Sequence, residues 1–131
     1  MKTGIVFGSW DLLNIGHINL FKEAKKKCDY LIVGLQIDPH IERKNKNKPI
    51  ESIFERQIKL FGCKYVDSVI VYETETDLPL ILKYFKPDVR FLGSDYIGMG
   101  DLKPITDELA VPIEYIDSLP IHTSDIRKRL K

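Results

Sequence analysis

A histidine follows a glycine at the point where an apolar run gives way to a helical pattern. His17 comes after Asn14 and Gly16, and the preceding run from Gly4 to Phe7 ends at Gly8. Glycines let the backbone approach a ligand closely. A helix N-terminus attracts phosphate through its N–H groups and dipole, and an imidazole there can donate a further hydrogen bond. This pattern predicts a phosphate or nucleotide site around His17.

Basic residues form a second group of candidates. The polar segment Gln36 to Glu51 contains Lys46 and Lys48, and Arg56 follows in the next helical pattern. Such a run is commonly a solvated surface. Beside a phosphate site, however, the same cations would neutralise charge that develops during phosphate chemistry.

Two later segments have residues suited to ligand contact. Gly93 to Lys103 contains three glycines and two aspartates, and Thr123 with Ser124 opens a helical pattern near the C-terminus. A turn without ligand favours the same residue types in the first segment. Hydroxyls at a helix start serve either as an N-cap or as phosphate ligands. Both interpretations stay open at this level.

Length and composition favour one ordinary globular domain over residues 1–131. The chain is 44% hydrophobic, and 20 Lys plus Arg against 19 Asp plus Glu leave a net charge of +1. This balance provides no overall field for nucleic acid or an anionic membrane. We find no apolar span of membrane length, and Cys28 and Cys63 have no metal-ligand spacing, so we expect reduced thiols in a cytoplasmic protein.

Apolar runs alternate with helical patterns, which predicts an α/β fold with a parallel sheet and helices on both faces. We expect two of the helices, 16–27 and 52–63, to turn their apolar residues toward the core, the latter with Phe54, Ile58 and Phe61. The predicted strands are 2–7, 30–35, 68–71, 89–92 and 112–115, and the remaining helices are 78–85 and 124–130. The two polar segments follow strand ends, where open α/β sheets bind ligands.

The residues around His17 resemble a known signature. Gly8, Ser9, Trp10, Asp11, Leu13, Gly16 and His17 are similar to the HxGH motif of the nucleotidyltransferase superfamily, and their setting looks most like that of glycerol-3-phosphate cytidylyltransferases. The first histidine of that motif is Asn14 here. The resemblance extends from Gly4 to Arg127.

The resemblance assigns roles to the candidates. It implies that His17, Asn14, Arg56 and Lys48 act in catalysis, with Asn14 donating amide hydrogen bonds and Arg56 reaching the phosphates. Asp11 would hold the loop or help to position a metal ion, for which the sequence identifies no ligands. Nucleotide binding would involve Gly8, Ser9, Trp10, Asp11, Gly16, Lys46, Gly93, Asp95, Tyr96, Thr123 and Ser124, with Asp95 and Tyr96 near the base or ribose.

The same resemblance implies a Rossmann-like single domain with a five-stranded parallel sheet in the order 3-2-1-4-5. It also implies Mg²⁺, a homodimer, and transfer of a cytidylyl group from CTP to a small phosphorylated alcohol such as glycerol 3-phosphate. One alternative changes the nucleotide to ATP or changes the acceptor. Another is a nucleotide-binding protein with impaired catalysis, suggested by Asn14, by His122 at the position of a serine in the family, and by a missing upstream arginine.

Overall fold

The computed structural model describes residues 1–42, 44–96, 111–119 and 123–130, without the side chains of Glu42 and Tyr96. Parts of the predicted segment 93–103 and His122 therefore lie outside the described residues. The strands are β1 (Thr3–Gly8), β2 (Tyr30–Gln36), β3 (Ser68–Tyr72), β4 (Val89–Gly93) and β5 (Ile113–Ile116). The α-helices are α1 (Ile15–Lys25), α2 (Pro39–Glu42), α3 (Ile53–Phe61), α4 (Leu78–Phe85) and α5 (Thr123–Arg129), with single 3₁₀ turns at Glu75–Asp77 and Ser94–Tyr96.

The five strands form one parallel sheet in the order β3-β2-β1-β4-β5, as the resemblance implied. Each predicted strand is present with its ends shifted by at most one residue. The register pairs Gly8 with Leu35 and Gly93 with Ile116, which aligns the carboxyl ends of the strands along one edge. The strand order changes direction at β1, because β2 and β3 lie on one side of β1 and β4 and β5 lie on the other. Such a switch point is where open α/β sheets form a ligand crevice.

Alternate residues of β1 pack into two separate cores. Val6 belongs to the larger cluster, with Phe21 of α1 and Phe91 of β4. Ile5 belongs to the smaller cluster with Leu82 of α4. Helices therefore cover both faces of the sheet, which explains why its strands read as nearly continuous apolar runs.

The predicted inward face of α3 was wrong. Phe54, Ile58 and Phe61 are 68%, 55% and 62% exposed, whereas Arg56 and Leu60 are buried. The prediction relied on the helical spacing of these apolar side chains, which is also typical of a helix face that packs in the core. The opposite face is buried because the guanidinium of Arg56 bonds to several backbone carbonyls.

Both cysteines are free thiols, as expected. Within the described part of the chain, no helix has the length and apolar character that a membrane crossing requires.

Candidate active site

Two cavities flank the carboxyl end of β1. The first cavity, about 320 Å³, is lined by His17, Gly16 and Thr123 on one side and by Gly93, Asp95 and Ser118 on the other. The second cavity, about 120 Å³, lies toward β3 and is lined by Gln36, Tyr72, Glu75 and Arg90 among others. Their shared wall consists of Phe7, Gly8, Ser9, Lys46 and Leu92. The larger volume lies in the range of small-molecule sites.

His17 is held in one orientation by the start of α1. Its Nδ1 accepts the backbone N–H of Asn14 at 3.3 Å, and its Nε2 lies 3.4 Å from the Thr123 hydroxyl. Burial lowers the pKa of His17 to about 4, against a smaller opposing effect of Asp11. The ring is therefore neutral near pH 7 with its hydrogen on Nε2. His17 thus presents an N–H donor, not a positive charge, to the first cavity.

Asn14 is the N-cap of α1. Its Oδ1 accepts the N–H of Gly16 at 2.9 Å, and its side chain also accepts from the backbone of His17. Its Nδ2 donates to Leu12 O at 3.1 Å and lies 3.5 Å from Thr123 Oγ1. These contacts engage Oδ1 in capping and direct Nδ2 toward Leu12 O and Thr123 Oγ1, and the expected donation of Nδ2 to a phosphate stays a prediction. They also mean that the N–H of Gly16 is already bonded, so the first helical turn offers the helix dipole and the imidazole to an anion.

Trp10 and Gly8 shape the loop before α1. The Trp10 backbone is in the left-handed region with a φ of 53°, a conformation that costs energy for a bulky residue. Its indole N–H donates to Gly34 O at 2.9 Å, and its ring stacks edge-on against His17 at 5.4 Å. A Cβ on Gly8 would lie 2.9 Å from the Trp10 ring. Gly8 is therefore needed for the indole to form this wall of the cavity.

Asp11 ties three distant segments together. Its Oδ1 accepts from Glu51 N at 2.9 Å, and its Oδ2 accepts from Ile50 N at 2.9 Å and from the Arg127 guanidinium at 2.7 Å. In return, Leu12 N donates to Glu51 Oε1 at 2.7 Å, so residues 11–12 and Glu51 are joined by hydrogen bonds in both directions. The carboxylate is nearly fully buried. Of the two roles expected for Asp11, the contacts support holding the loop.

Arg56 is 2% exposed. Its guanidinium donates to Ser9 O at 2.9 Å, Gln36 O at 2.7 Å and Ile37 O at 2.5 Å. Its Nε lies within hydrogen-bond distance of two further carbonyls, of Glu51 and Ser52. The described walls of both cavities leave Arg56 out. These contacts fix the ends of β1 and β2, because a buried guanidinium must satisfy its donors, and a direct contact of Arg56 with phosphate stays a prediction.

The lysines of the basic segment are exposed and differ in position. Lys46 lines both cavities and belongs to their shared wall. Lys48 is absent from the described lining of either cavity, and its backbone carbonyl accepts from Arg127 at 3.2 Å. Ser124 is exposed and is likewise absent from these walls, whereas Thr123 belongs to the first cavity.

The far wall of the first cavity brings β4 and β5 together. Ser118 Oγ donates to Asp95 Oδ1 at 3.2 Å, and Ser118 N donates to Ser94 Oγ at 3.1 Å. A Cβ on Gly93 would lie 2.6 Å from Asp95 Oδ1 and 2.9 Å from Ser118 Oγ, so this contact requires glycine. Gly93 and Asp95 therefore line the first cavity, and their contact with a nucleotide stays a prediction, while the Tyr96 side chain lies outside the described structure.

The sequence interpretation missed three residues of this region. Arg127 was named only as the last residue of the resemblance, yet it pairs with Asp11 across 116 positions. Arg90 and Ser118 lie in or after predicted strands, and Arg90 is 1% exposed. A charged residue inside an otherwise apolar strand is the signal that could have identified Arg90, since such groups are rarely buried without a partner or ligand.

Among the described residues, no group of three or more His, Cys, Asp or Glu side chains could hold a metal ion. The carboxylate of Asp11 already accepts three hydrogen bonds. The expected Mg²⁺ therefore stays a prediction.

Comparison with known proteins agrees with this geometry. Residues 5–129 match the family model described as cytidylyltransferase-like. The bifunctional protein HldE of Campylobacter jejuni strain RM1221 is 35% identical over 97% of this chain and 28% of its own length. HldE of Caulobacter sp. strain K31 is 39% identical over 73% of this chain and 20% of its own length. The chain thus spans less than a third of these relatives.

A solved structure, the lipopolysaccharide core biosynthesis protein from Thermoplasma volcanium, is similar over 93% of this chain and 99% of its own, with a TM-score of 0.74 and 27% identity. The pantothenate synthetase of Thermus thermophilus shares the fold, with a TM-score of 0.62 at 13% identity over 98% of this chain and 64% of its own. Together with the family match, these similarities show that the chain belongs to the cytidylyltransferase-like family of nucleotidyltransferases.

Proposed function

We propose that this enzyme transfers a cytidylyl group from CTP to a small phosphorylated alcohol, with glycerol 3-phosphate as the simplest example. The observation that carries the proposal is the position of the His17 Nε2–H in a cavity of about 320 Å³ at the switch point of the sheet. A second cavity shares the Gly8 and Ser9 wall. Two adjoining cavities suit a reaction of two phosphorylated substrates.

In this reaction an oxygen of the acceptor phosphate attacks the α-phosphorus of CTP. The bond between the α-phosphorus and the bridging oxygen breaks, and pyrophosphate leaves with that oxygen. The protein mainly has to position the two phosphates and stabilise the growing negative charge. Nucleotide in the first cavity and acceptor in the second would meet at the shared wall.

Three groups would supply this stabilisation. The His17 Nε2–H would turn from Thr123 Oγ1, 3.4 Å away, to a phosphate oxygen. The positive end of the α1 dipole lies behind it, and the first turn of α1 contains no acidic residue. Lys46 would contact both phosphates from the shared wall. Arg56 and Asn14 would act as positioning residues through the loop and the helix cap.

We assign Mg²⁺ to the nucleotide substrate and not to a protein site. Magnesium binds triphosphates while keeping several waters, and it needs few protein ligands there. Its contribution would be to neutralise phosphate charge.

A related acceptor is the second candidate. The 27% identity with a lipopolysaccharide core biosynthesis protein favours a phosphorylated sugar in place of glycerol 3-phosphate, and ATP in place of CTP is the corresponding nucleotide alternative. The family model favours CTP.

We also propose that two copies of the chain pair through the exposed face of α3 formed by Phe54, Ile58 and Phe61. A helix with such an apolar exposed face favours association. Sedimentation equilibrium of the parent and of Phe54→Ser/Phe61→Ser tests this pairing: we expect a dimer that the double variant converts to a monomer. A monomeric parent would refute it.

The activity is tested by measuring pyrophosphate release with CTP, ATP, GTP and UTP, each against a panel of phosphorylated polyols and sugars. We expect CTP with a phosphorylated polyol to be the fastest pair. A faster reaction with ATP would change the nucleotide assignment. Tight CTP binding without pyrophosphate release for any acceptor would support the alternative of a binding protein with impaired catalysis.

A further inference from the structure

Lys46 lies in the wall between the two cavities, although its segment is exposed. It contributes to the lining of both cavities, and residues 44–48 are all exposed to solvent. Burial of side chains is what usually fixes a loop, and here it contributes little. The position of Lys46 therefore depends on the hydrogen bonds that hold its backbone.

One of these bonds comes from His40. Its ring nitrogen Nδ1 lies 2.8 Å from the carbonyl oxygen of Lys46. Because a carbonyl can only accept, Nδ1 carries the hydrogen and donates it. The distance is in the normal range for a hydrogen bond between nitrogen and oxygen. His40 thus acts on the backbone of Lys46 and not on its side chain.

His40 is itself attached to the sheet. It lies in the short helix α2, and its backbone N–H donates to Asp38 Oδ1 at 2.9 Å. An aspartate that accepts from the backbone two residues ahead forms an Asx turn. The preceding residue, Ile37, donates its N–H to Tyr72 O at 3.0 Å, at the end of β3. A continuous series of contacts therefore connects the sheet with Lys46.

The chain that follows Lys46 is held by other groups. The Arg127 guanidinium donates to Lys48 O at 3.2 Å, and Asp11 accepts from the backbone N–H groups of residues 50–51. These contacts fix the segment where it leads into α3. Loss of the contact at Lys46 should therefore release Lys46 locally, while the rest of the segment keeps its attachment.

We infer that His40 is a positioning residue for Lys46, whose backbone it holds so that the lysine stays in the wall between the two cavities. This inference rests on the proposed function for the substrates that occupy those cavities. A lysine is a flexible cation, and placing it in advance reduces the entropy that is lost when a phosphate binds. The described walls of both cavities do not include His40, so it acts through Lys46.

The test is a double-mutant cycle of His40→Ala and Lys46→Ala. Lys46→Ala keeps the backbone carbonyl that His40 binds but removes the side chain that the bond positions. A positioning role therefore predicts that His40→Ala has an effect in the parent and none in the Lys46→Ala background. His40→Asn is the conservative variant, since its amide N–H also donates. Ile41→Ala, at a residue of the same helix that is 67% exposed, is the matched control.

Three readouts are used: KM for the nucleotide and acceptor that react fastest, calorimetric binding of pyrophosphate with Mg²⁺, and the melting temperature. Pyrophosphate binding needs neither the correct base nor an acceptor. We expect His40→Ala to raise both KM values and to weaken pyrophosphate binding by about 2- to 10-fold, the effect of one hydrogen bond. His40→Asn should recover most of this loss, and Ile41→Ala should match the parent.

In the Lys46→Ala background, His40→Ala should change none of these quantities by more than about twofold. The melting temperatures of the His40 variants should stay within about 2 °C of the parent, because the substituted side chain is not part of the core.

Pyrophosphate binding that follows this cycle in a parent without turnover would support the inference and contradict the proposed function. Turnover with KM values that are unchanged in His40→Ala would overturn the inference and leave the function intact. KM values that His40→Ala raises by the same factor with and without the Lys46 side chain would do the same. A parent with neither turnover nor pyrophosphate binding would overturn both.

Discussion

The Nδ1 of His17 accepts the backbone N–H of Asn14, 3.3 Å away, and this single contact determines which nitrogen faces the first cavity. With Nδ1 occupied and the pKa of His17 lowered to about 4 by burial, the ring is a neutral donor through Nε2. The enzyme would therefore keep its donor at and above neutral pH.

The first prediction concerns stability and pH. The pKa of His17 is about 4 in the folded state and 6.5 in its reference state, so the unfolded chain binds the proton first as pH falls. The contribution of His17 to the free energy of unfolding is therefore full above pH 6.5. It decreases as the pH falls toward 4, by up to about 3 kcal/mol. Urea unfolding of the parent and of His17→Gln from pH 7.5 to 4.5 measures the difference. Glutamine retains the capping box, so the variant is the matched control. Parallel pH profiles for the two proteins would contradict the assignment of a neutral buried imidazole.

Asn14→Ala should remove the cap of α1 and lower the free energy of unfolding by about 0.5 to 2 kcal/mol. Because the cap also positions His17, pyrophosphate release should fall as well. Asn14→Ser restores an N-cap and should recover most of the stability and activity. Asn14→His introduces the first histidine of the HxGH motif and should keep or raise activity. Activity that is indifferent to Asn14→Ala would show that the cap has no part in positioning His17.

The ion pair between Asp11 and Arg127 should contribute to stability through coupling of the loop to α5. Asp11→Asn leaves the Arg127 guanidinium beside a neutral partner in a site where Asp11 is 4% exposed, so we expect a loss of about 3 kcal/mol. Arg127→Met should cost less, since the carboxylate retains two backbone donors. A double-mutant cycle in urea measures the coupling. A loss of Mg²⁺ binding in Asp11→Asn with unchanged stability would instead indicate a metal ligand.

Arg56→Lys should destabilise the protein by about 2 kcal/mol or more, because one ammonium group cannot bond all the carbonyls that the guanidinium reaches. We expect CTP affinity, measured by calorimetry under conditions where the variant is folded, to change little. A large loss of CTP affinity in a variant that is as stable as the parent would indicate that Arg56 contacts the phosphates directly, as the resemblance implied.

Lys46→Ala should raise the KM for both substrates, because Lys46 lines both cavities. Lys44→Ala is the matched control, since Lys44 is an exposed lysine of the same loop. Steady-state pyrophosphate release measures both variants. Equal effects of the two substitutions would assign the contribution to the overall charge of the loop and not to the position of Lys46.

The strands were most predictable where they are buried on both faces and read as short apolar runs, as in Leu31 to Leu35 of β2. The motif around Gly16 and His17 predicted the position of the first cavity for a similar reason. The spacing of these residues along the chain is determined by the local geometry at the start of α1. The inward face of α3 was not predictable in this way. Its burial depends on Arg56 and on carbonyls contributed by Ser9, Gln36 and Ile37, which are distant in sequence.

The roles of the site residues were harder to predict than their location. Asn14 and Asp11 both belong to the predicted motif, yet one caps α1 and the other binds Arg127 and the backbone of residues 50–51. Residue type indicates which bonds a side chain can form, but its partners are determined by tertiary contacts. The left-handed backbone of Trp10 and Leu12, at φ values of 53° and 50°, likewise has no signal in residue type.

The central claim is that the first cavity catalyses nucleotidyl transfer with His17 as a donor to the reacting phosphate. The most direct measurement is ³¹P NMR of CTP and the best acceptor of the panel, with the parent and with His17→Ala, alongside thermal unfolding of both proteins. We predict that the parent forms a new diphosphate-linked product and pyrophosphate in equal amounts, and that His17→Ala is slower by roughly 10²-fold or more while it remains folded. Product formation by His17→Ala at the parental rate would contradict the claim.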